Sequence, residues 1–159
     1  MADLSGKIAF VTAGATGIGF GCAQTIVNSG GKVMICARRE DTLREAVERL
    51  GPNAAWVVCD VTDDKSVDDA VAATVRRFGA LHLAVNSAGT GTAGPLLQAT
   101  TSEFERVIAT NLTGAFRCLR AEAPIYWHPT PGFWALTRHE DVVAVSRDPA
   151  TFCSSRGVL

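Results

Sequence analysis

The sequence has no long apolar run. Its longest wholly apolar stretches are near six residues, as in Ala54–Cys59, whereas a membrane-spanning helix needs about 20. No membrane span is expected. Charge of one sign is also missing: 15 Lys+Arg stand against 16 Asp+Glu, for a formal net charge of −1. Without a basic stripe, nucleic acid is not an expected partner. The opening segment MADLSGKIAF carries Asp3 and no apolar core, so a signal peptide is not expected either. The five cysteines (Cys22, Cys36, Cys59, Cys118, Cys153) are odd in number and far apart. None of their spacings is that of a zinc site or a redox motif, which predicts free thiols in a reducing compartment, the cytoplasm. The three histidines, His82, His128 and His139, show no ligand spacing, so no metal site is expected. Internal repeats and low-complexity tracts are absent. What is present is 47% apolar residues, 19% charged residues and 15 glycines in 159 residues, the profile of about one globular domain.

Through the first two-thirds of the chain, short apolar runs alternate with helical spacing. Lys7–Thr12, Lys32–Ala37, Ala54–Cys59 and Ala80–Asn86 predict four strands. Helices are predicted over Thr16–Ser29 (inner face Ile18, Cys22, Ile26, Val27), Asp41–Leu50 with a stop at Gly51–Pro52, and Asp63–Phe78. Ser102 and Glu105 have capping-box spacing and predict a helix from there past Asn111 to about Ala121. Alternation of this kind implies a parallel sheet covered on both faces. The expected architecture is Rossmann-like α/β, strand order 3-2-1-4, stopping after the fourth strand. After Pro124 the rhythm ends. Ile125–His128 and Phe133–Thr137 predict a hairpin around a Pro-Gly turn, and His139–Arg147 a short helix. A domain boundary is expected there, dividing residues 1–121 from 122–159. Tyr126, Trp127, Phe133 and Trp134 fit hairpin packing better than a ligand cage.

Val11–Gly19 reads VTAGATGIG, after a strand and opening a helix, the setting of a dinucleotide loop. Gly14 is expected to allow the tight turn, Gly17 the approach of a pyrophosphate, and Gly19 close helix–strand packing. The helix N-terminus, with Thr16 and Ile18 beside these glycines, would favour the phosphates. A purely structural glycine-rich turn is the alternative. A carboxylate at the end of the second strand would bind a ribose 2′-OH and repel a 2′-phosphate. This chain has Arg38 and Arg39 there instead, and a forked cation suits a phosphate. NADP(H) is therefore favoured over NAD(H), unless the two arginines simply pair with Glu40 or Asp41.

Together these residues resemble the short-chain dehydrogenase/reductase family, over about residues 4–121. The family loop T-G-x-x-x-G-x-G aligns with Thr12-Ala13-Gly14-Ala15-Thr16-Gly17-Ile18-Gly19, with Ala13 in place of the first Gly. Asp60-Val61 matches an acidic dipeptide that the resemblance assigns to adenine contact. Asn86-Ser87-Ala88-Gly89 matches N-N-A-G, which steadies the central sheet and lies along the cofactor. Asn111 matches the family asparagine that holds a water of the proton relay. Asn86 and Asn111 also have purely structural readings, and for Asn111 that reading is favoured, because the relay's partners are not seen. Family chemistry moves a hydride between nicotinamide and a carbonyl or alcohol, using a Ser, a Tyr and a Lys four residues after the Tyr. The single tyrosine, Tyr126, is followed four residues later by Thr130, and the only lysines are Lys7, Lys32 and Lys65. General acid–base catalysis supplies about 10²–10⁴-fold, so an oxidoreductase remnant inactive in hydride transfer is expected.

Residues 122–159 resemble an N-terminal piece of the cytochrome P-450 superfamily. The matching residues are Thr137-Arg138-His139-Glu140-Asp141-Val142-Val143 and Ser146-Arg147-Asp148-Pro149-Ala150-Thr151-Phe152. The haem-binding elements are not among them, and Cys153 is not in a haem-ligand setting, so no haem is expected. The resemblance implies a gene fusion, or a non-enzymatic fragment. It would leave the fourth strand's edge and an apolar face open to the hairpin or to another subunit. A homo-oligomer through helix 102–121 or that strand edge is the expected protein partner, beside the nicotinamide dinucleotide.

Overall fold

The first strand, β1 (Ile8–Thr12), has all five residues buried, and its side chains divide by the two-residue period of a strand. Ala9 and Val11 enter one core and Phe10 the other. On β2 (Lys32–Ala37), Val33 and Ile35 share a face with the first group, and Met34 and Cys36 with the second. Such two-sided burial produces the continuous apolar runs seen in the sequence. In this computed structural model the described residues are 3–122, 125–128, 133–136, 143, 144 and 147.

β3 (Ala54–Val58) and β4 (Leu83–Asn86) complete a four-stranded sheet of order β3-β2-β1-β4. All three pairings are parallel; Thr12 stands beside Cys36 on one side and Asn86 on the other. The Rossmann-like order expected from the alternation is therefore the one observed. Three helices follow the first three strands: α1 (Gly17–Asn28), α2 (Glu40–Leu50) and α3 (Asp64–Phe78). Leu43, Ala46 and Leu50 of α2, with Ala23 and Ile26 of α1, cover one face of the sheet. Val67, Ala70 and Val71 of α3 cover the other. The helix ends follow local chemistry. Asp63 caps α3 by accepting from Lys65 N at 3.2 Å. Gly79 ends it in the left-handed conformation at φ +92°, where a side chain would cost stability.

Three expectations need correction. The inner face of α1 is Gly19, Ala23 and Ile26, while Ile18 is 81% exposed. The helix lies so near the preceding turn that no side chain fits at Gly19, whereas apolar periodicity favours the larger residues. The capping box is formed by Thr100 and Glu103, not Ser102 and Glu105. Glu103 N donates to Thr100 Oγ1 at 3.2 Å, and Thr100 N donates to Glu103 Oε2 at 2.8 Å. Both pairs have the right spacing; the extended backbone at Thr100 (φ −86°, ψ 155°) decides between them. The following helix is not continuous either. α4 (Thr101–Ile108) passes through a π-helical turn, Ala109–Thr113, into α5 (Gly114–Glu122). At Gly114, α5 approaches so closely that a Cβ would stand 2.9 Å from Val61 Cγ2.

The chain divides into two compact units, Met1–Glu122 and Ala123–Leu159. Within the second, β5 (Ile125–His128) and β6 (Phe133–Leu136) pair antiparallel, with Trp127 opposite Trp134. That is the expected hairpin. Its Pro-Gly turn lies outside the described residues. So does most of the expected helix His139–Arg147, of which Val143, Ala144 and Arg147 are described as helical.

If the face built on α1 and α2 is the core, Leu43→Ala should lower unfolding free energy by about 2–5 kcal/mol. Leu97→Ala, at a fully exposed side chain, should stay within about 0.5 kcal/mol. Urea unfolding midpoints of the two variants measure the contrast.

Candidate functional site

A cleft of ≈ 290 Å³ opens at the carboxyl ends of the parallel strands, where ligands of open α/β sheets bind. Its lining comes from each strand in turn: Ala13, Ala15 and Thr16 after β1, Cys36 to Arg39 at the end of β2, and Cys59 to Thr62 after β3. Ala88, Gly89 and Thr90 after β4 close it, with Arg106 and Thr110 behind them.

The turn between β1 and α1 is where the glycine pattern acts, with roles that differ in part from those expected. The sharp bend is at Ala13, whose φ is +50°, and at Gly17, whose φ is +56°. Gly14 has another reason to be glycine: a Cβ there would lie 2.7 Å from the Ile35 side chain. A Cβ on Gly19 would lie 2.4 Å from the Ala13 carbonyl oxygen, so helix and turn meet backbone to backbone. At Gly17 a Cβ would meet nothing within 4 Å; of this turn only Ala13, Ala15 and Thr16 line the cleft, and Gly14, Gly17, Ile18 and Gly19 do not. The first turn of α1 carries no acid, and its leading N–H groups have no partners within the helix. Ile18 and Thr16 flank them, both exposed.

Across the cleft, Arg38 and Arg39 are exposed. Neither forms an ion pair with Glu40, which binds Arg44 at 2.6 Å. Asp60 Oδ1 accepts from Thr62 N at 2.9 Å and Thr62 Oγ1 at 2.7 Å. These two bonds hold its carboxyl below the usual range, and the nearby Arg38 and Arg117 cations add to the effect. The lining thus carries three arginines against one carboxylate, an arrangement suited to an anion. Val61, Ala88 and Gly89 supply the apolar and backbone surface between them.

Asn86 ends β4 in register with Thr12 and is not part of the lining. Asn111, in the π-helical turn, stands behind it. Its Oδ1 accepts from Thr90 N at 2.8 Å, and its Nδ2 donates to Thr90 O at 2.9 Å. Arg106 adds bonds to Thr90 Oγ1 at 2.6 Å and Gly91 O at 3.1 Å. The loop after β4 is therefore fastened at four points by α4 and the turn that follows it. The π-helical turn inserts an extra residue and aims Asn111 back at the loop, an alignment that regular helical spacing would not reveal.

Thr12, the first residue of the aligned loop, has a role that the sequence pattern does not show. Its side chain is buried, and its Oγ1 accepts from Ser87 N at 2.9 Å and Ala88 N at 3.0 Å. It joins the end of β1 to the loop after β4. A threonine ending an apolar strand gives little sign of this, because its partners are about 75 residues away.

Family comparison agrees with this geometry. A family model for short chain dehydrogenase matches residues 7–132.

The chain belongs to the short-chain dehydrogenase family.

The match runs past residue 121 and includes the first strand of the hairpin. Momilactone A synthase of Oryza sativa subsp. japonica is 40% identical over 118 residues, 71% of this chain and 42% of that protein. L-fucose dehydrogenase of Bos taurus is 36% identical over 121 residues, 76% of this chain and 44% of that protein. The crystal structure of 3-ketoacyl-(acyl-carrier-protein) reductase from Brucella melitensis complexed with NADH superposes with a TM-score of 0.74 at 30% identity. It covers 76% of this chain and 50% of that one. The chain thus spans about half the length of the relatives it matches. Among the described residues, no helix is long and apolar enough to cross a membrane, and no cluster of three or more His, Cys, Asp or Glu could hold a metal ion.

Gly19→Ala should drive a methyl group into the Ala13 carbonyl and destabilise the unit by about 1–3 kcal/mol. Ala13→Gly, which relieves a left-handed non-glycine residue, should leave stability unchanged or raise it by up to about 1 kcal/mol. Thermal and urea unfolding of both variants test the assignment of the bend.

Proposed function

We infer that the chain is an NADP(H)-binding domain of short-chain dehydrogenase type without hydride transfer of its own. The observation that carries the inference is the exposed pair Arg38–Arg39 in the cleft lining, opposite Ala13, Ala15 and Thr16 of the glycine-rich turn, with Glu40 engaged by Arg44 instead. Gly17, Ile18 and Gly19, with Thr16, would offer backbone N–H groups to the pyrophosphate; Gly14 keeps the turn against β2. Arg38 and Arg39 would take the 2′-phosphate. Asp60 and Val61 would face the adenine, and Asn86, Ala88 and Gly89 would border the remainder. NADP(H) supplies a hydride when bound. No proton donor in the family's pattern accompanies it, since Tyr126 precedes Thr130 by four residues and the three lysines are Lys7, Lys32 and Lys65. Lys65 is held by Asp69 on the surface of α3. Asn111, engaged by Thr90, acts as a clamp and not as a relay. The α4–α5 stretch exposes Phe104 at 64% and Leu112 at 64%, which supports self-association through this face, as does the exposed side chain of Leu83 on β4.

NADPH fluorescence titration, run beside size exclusion, should show saturable binding tighter than that of NADH. Arg38→Ala should weaken NADPH about tenfold, a loss of about 1.4 kcal/mol, and leave NADH unaffected. Equal affinity for the two cofactors would remove the 2′-phosphate assignment, and no binding at millimolar NADPH would remove the cofactor reading. NADPH oxidation against a panel of aldehydes and ketones should not exceed the blank; turnover that disappears in Tyr126→Phe would show the chain to be a working reductase.

A second reading concerns descent. The Thr137–Val143 and Ser146–Phe152 motifs, together with the division of the chain after Glu122, support a join between dehydrogenase sequence and a cytochrome P-450-like piece that binds no haem. The surrounding genomic sequence should then hold the remnants of both genes in frame; two intact genes without a junction would refute the fusion.

A further inference from the structure

We propose that Cys36 and Cys59 are a peroxide-sensitive thiol pair in the floor of the cleft, whose disulfide weakens dinucleotide binding. The effect on binding rests on the cofactor reading above; the pair itself does not.

Three observations converge on these two residues. First, they lie on adjacent strand ends. Cys36 is in register with Val57 of β3, Cys59 follows two residues later on the same face, and Cys59 N donates to Ala37 O at 2.9 Å. Secondly, both sulfurs belong to one core cluster with Phe10 and Val67, yet both residues line the cleft. Cys36 is fully buried and Cys59 is 2% exposed, so of the two only Cys59 offers the cleft any surface for a small oxidant to reach. Thirdly, they differ in acidity. Cys36 donates its S–H to Cys59, and this bond, with burial, pushes the Cys36 thiol well up. The same bond, helped by the Ser66 hydroxyl, brings the Cys59 thiol down against the cost of burial. A more acidic thiol beside a less acidic one is the arrangement of an attacking and a resolving cysteine.

The chemistry needs hydrogen peroxide as oxidant. The Cys59 thiolate attacks one peroxide oxygen; the O–O bond breaks, an S–OH bond forms, and the departing hydroxide is protonated to water. The Cys36 sulfur then attacks the sulfenic sulfur. The S–O bond breaks, the S–S bond forms, and a second water leaves with the Cys36 proton. Two thiols lose two electrons, and one peroxide becomes two waters. A dithiol reductant reverses the change.

Both sulfurs also support the walls of the cleft. The Ala13 backbone hydrogen-bonds to Cys36 Sγ, and Gly14 N donates to Cys36 O at 3.2 Å. Drawing Cys36 Sγ toward Cys59 removes the bond beneath the bend at Ala13. On the other side Cys59 leads directly into Asp60 and Val61. Cys118 of α5 lies in the same cluster and is the competing partner.

The full chain, reduced and then treated with hydrogen peroxide, should lose two hydrogens by intact mass and yield a Cys36–Cys59 linked peptide, restored by dithiothreitol. Cys118→Ser should still form that link; Cys36→Ser and Cys59→Ser should not. The oxidised chain should bind NADPH at least tenfold more weakly than the reduced chain, and excess NADPH should slow oxidation. Linkage to Cys118, links only between molecules, or sulfinic acid at Cys59 without a disulfide would overturn the pair. Equal NADPH binding before and after a mapped disulfide would overturn the effect on the cleft. Failure of even the reduced chain to bind NADPH would instead count against the cofactor reading and leave the mapped disulfide to decide the pair.

Discussion

Helix α1 meets the turn that precedes it with no side chain between them. A Cβ on Gly19 would intrude to 2.4 Å from the Ala13 carbonyl, and one on Gly14 to 2.7 Å from Ile35. This close approach determines several features at once. It forces small residues onto the inner face of α1, where Gly19 and Ala23 are buried. It compels the chain through a left-handed residue at Ala13. Thr16, immediately before the first helical residue, lines the cleft. Backbone contact of this kind cannot relax by a rotamer change, so the tolerance for substitution is small.

Around that contact the cleft is assembled by ties of long sequence separation. Thr12 joins the end of β1 to Ser87 and Ala88. Asn111 and Arg106 fasten Thr90 and Gly91 from α4 and the π-helical turn. Asp60 is folded onto Thr62 and kept ionised by those bonds. The loop after β4 is held by hydrogen bonds from Thr12, Arg106 and Asn111, and the loop after β3 by its own Asp60–Thr62 bonds, at the carboxyl edge where a parallel sheet positions ligands. Placing Arg38 and Arg39 at the end of β2 then gives the cleft its positive character.

Much of this was legible in the residues. Four apolar runs and the helical spacing between them predicted a parallel sheet of order 3-2-1-4, because strands buried on both faces must be apolar throughout. Gly51 marked a helix end for the same local reason that it occupies it, with φ at +85°. On α1 the apolar pattern gives weight to Ile18 and Cys22, whereas close packing near the turn selects Gly19 and Ala23 beside Ile26. Two overlapping capping boxes could not be separated by spacing, since Thr100–Glu103 and Ser102–Glu105 are chemically alike; only the backbone at Thr100 distinguishes them.

The sequence by itself determined the alternating sheet and helices, the glycine-rich turn after β1 and the arginines at the end of β2, because these depend on period, local conformational preference and charge. Tertiary structure alone decided which glycine bends and which one packs. It alone brought Thr12 to the loop after β4, turned Asn111 onto Thr90, and set Cys36 beside Cys59. Each of those outcomes depends on residues from separate strands or helices meeting across a sheet edge, and linear spacing carries no record of which ones will meet.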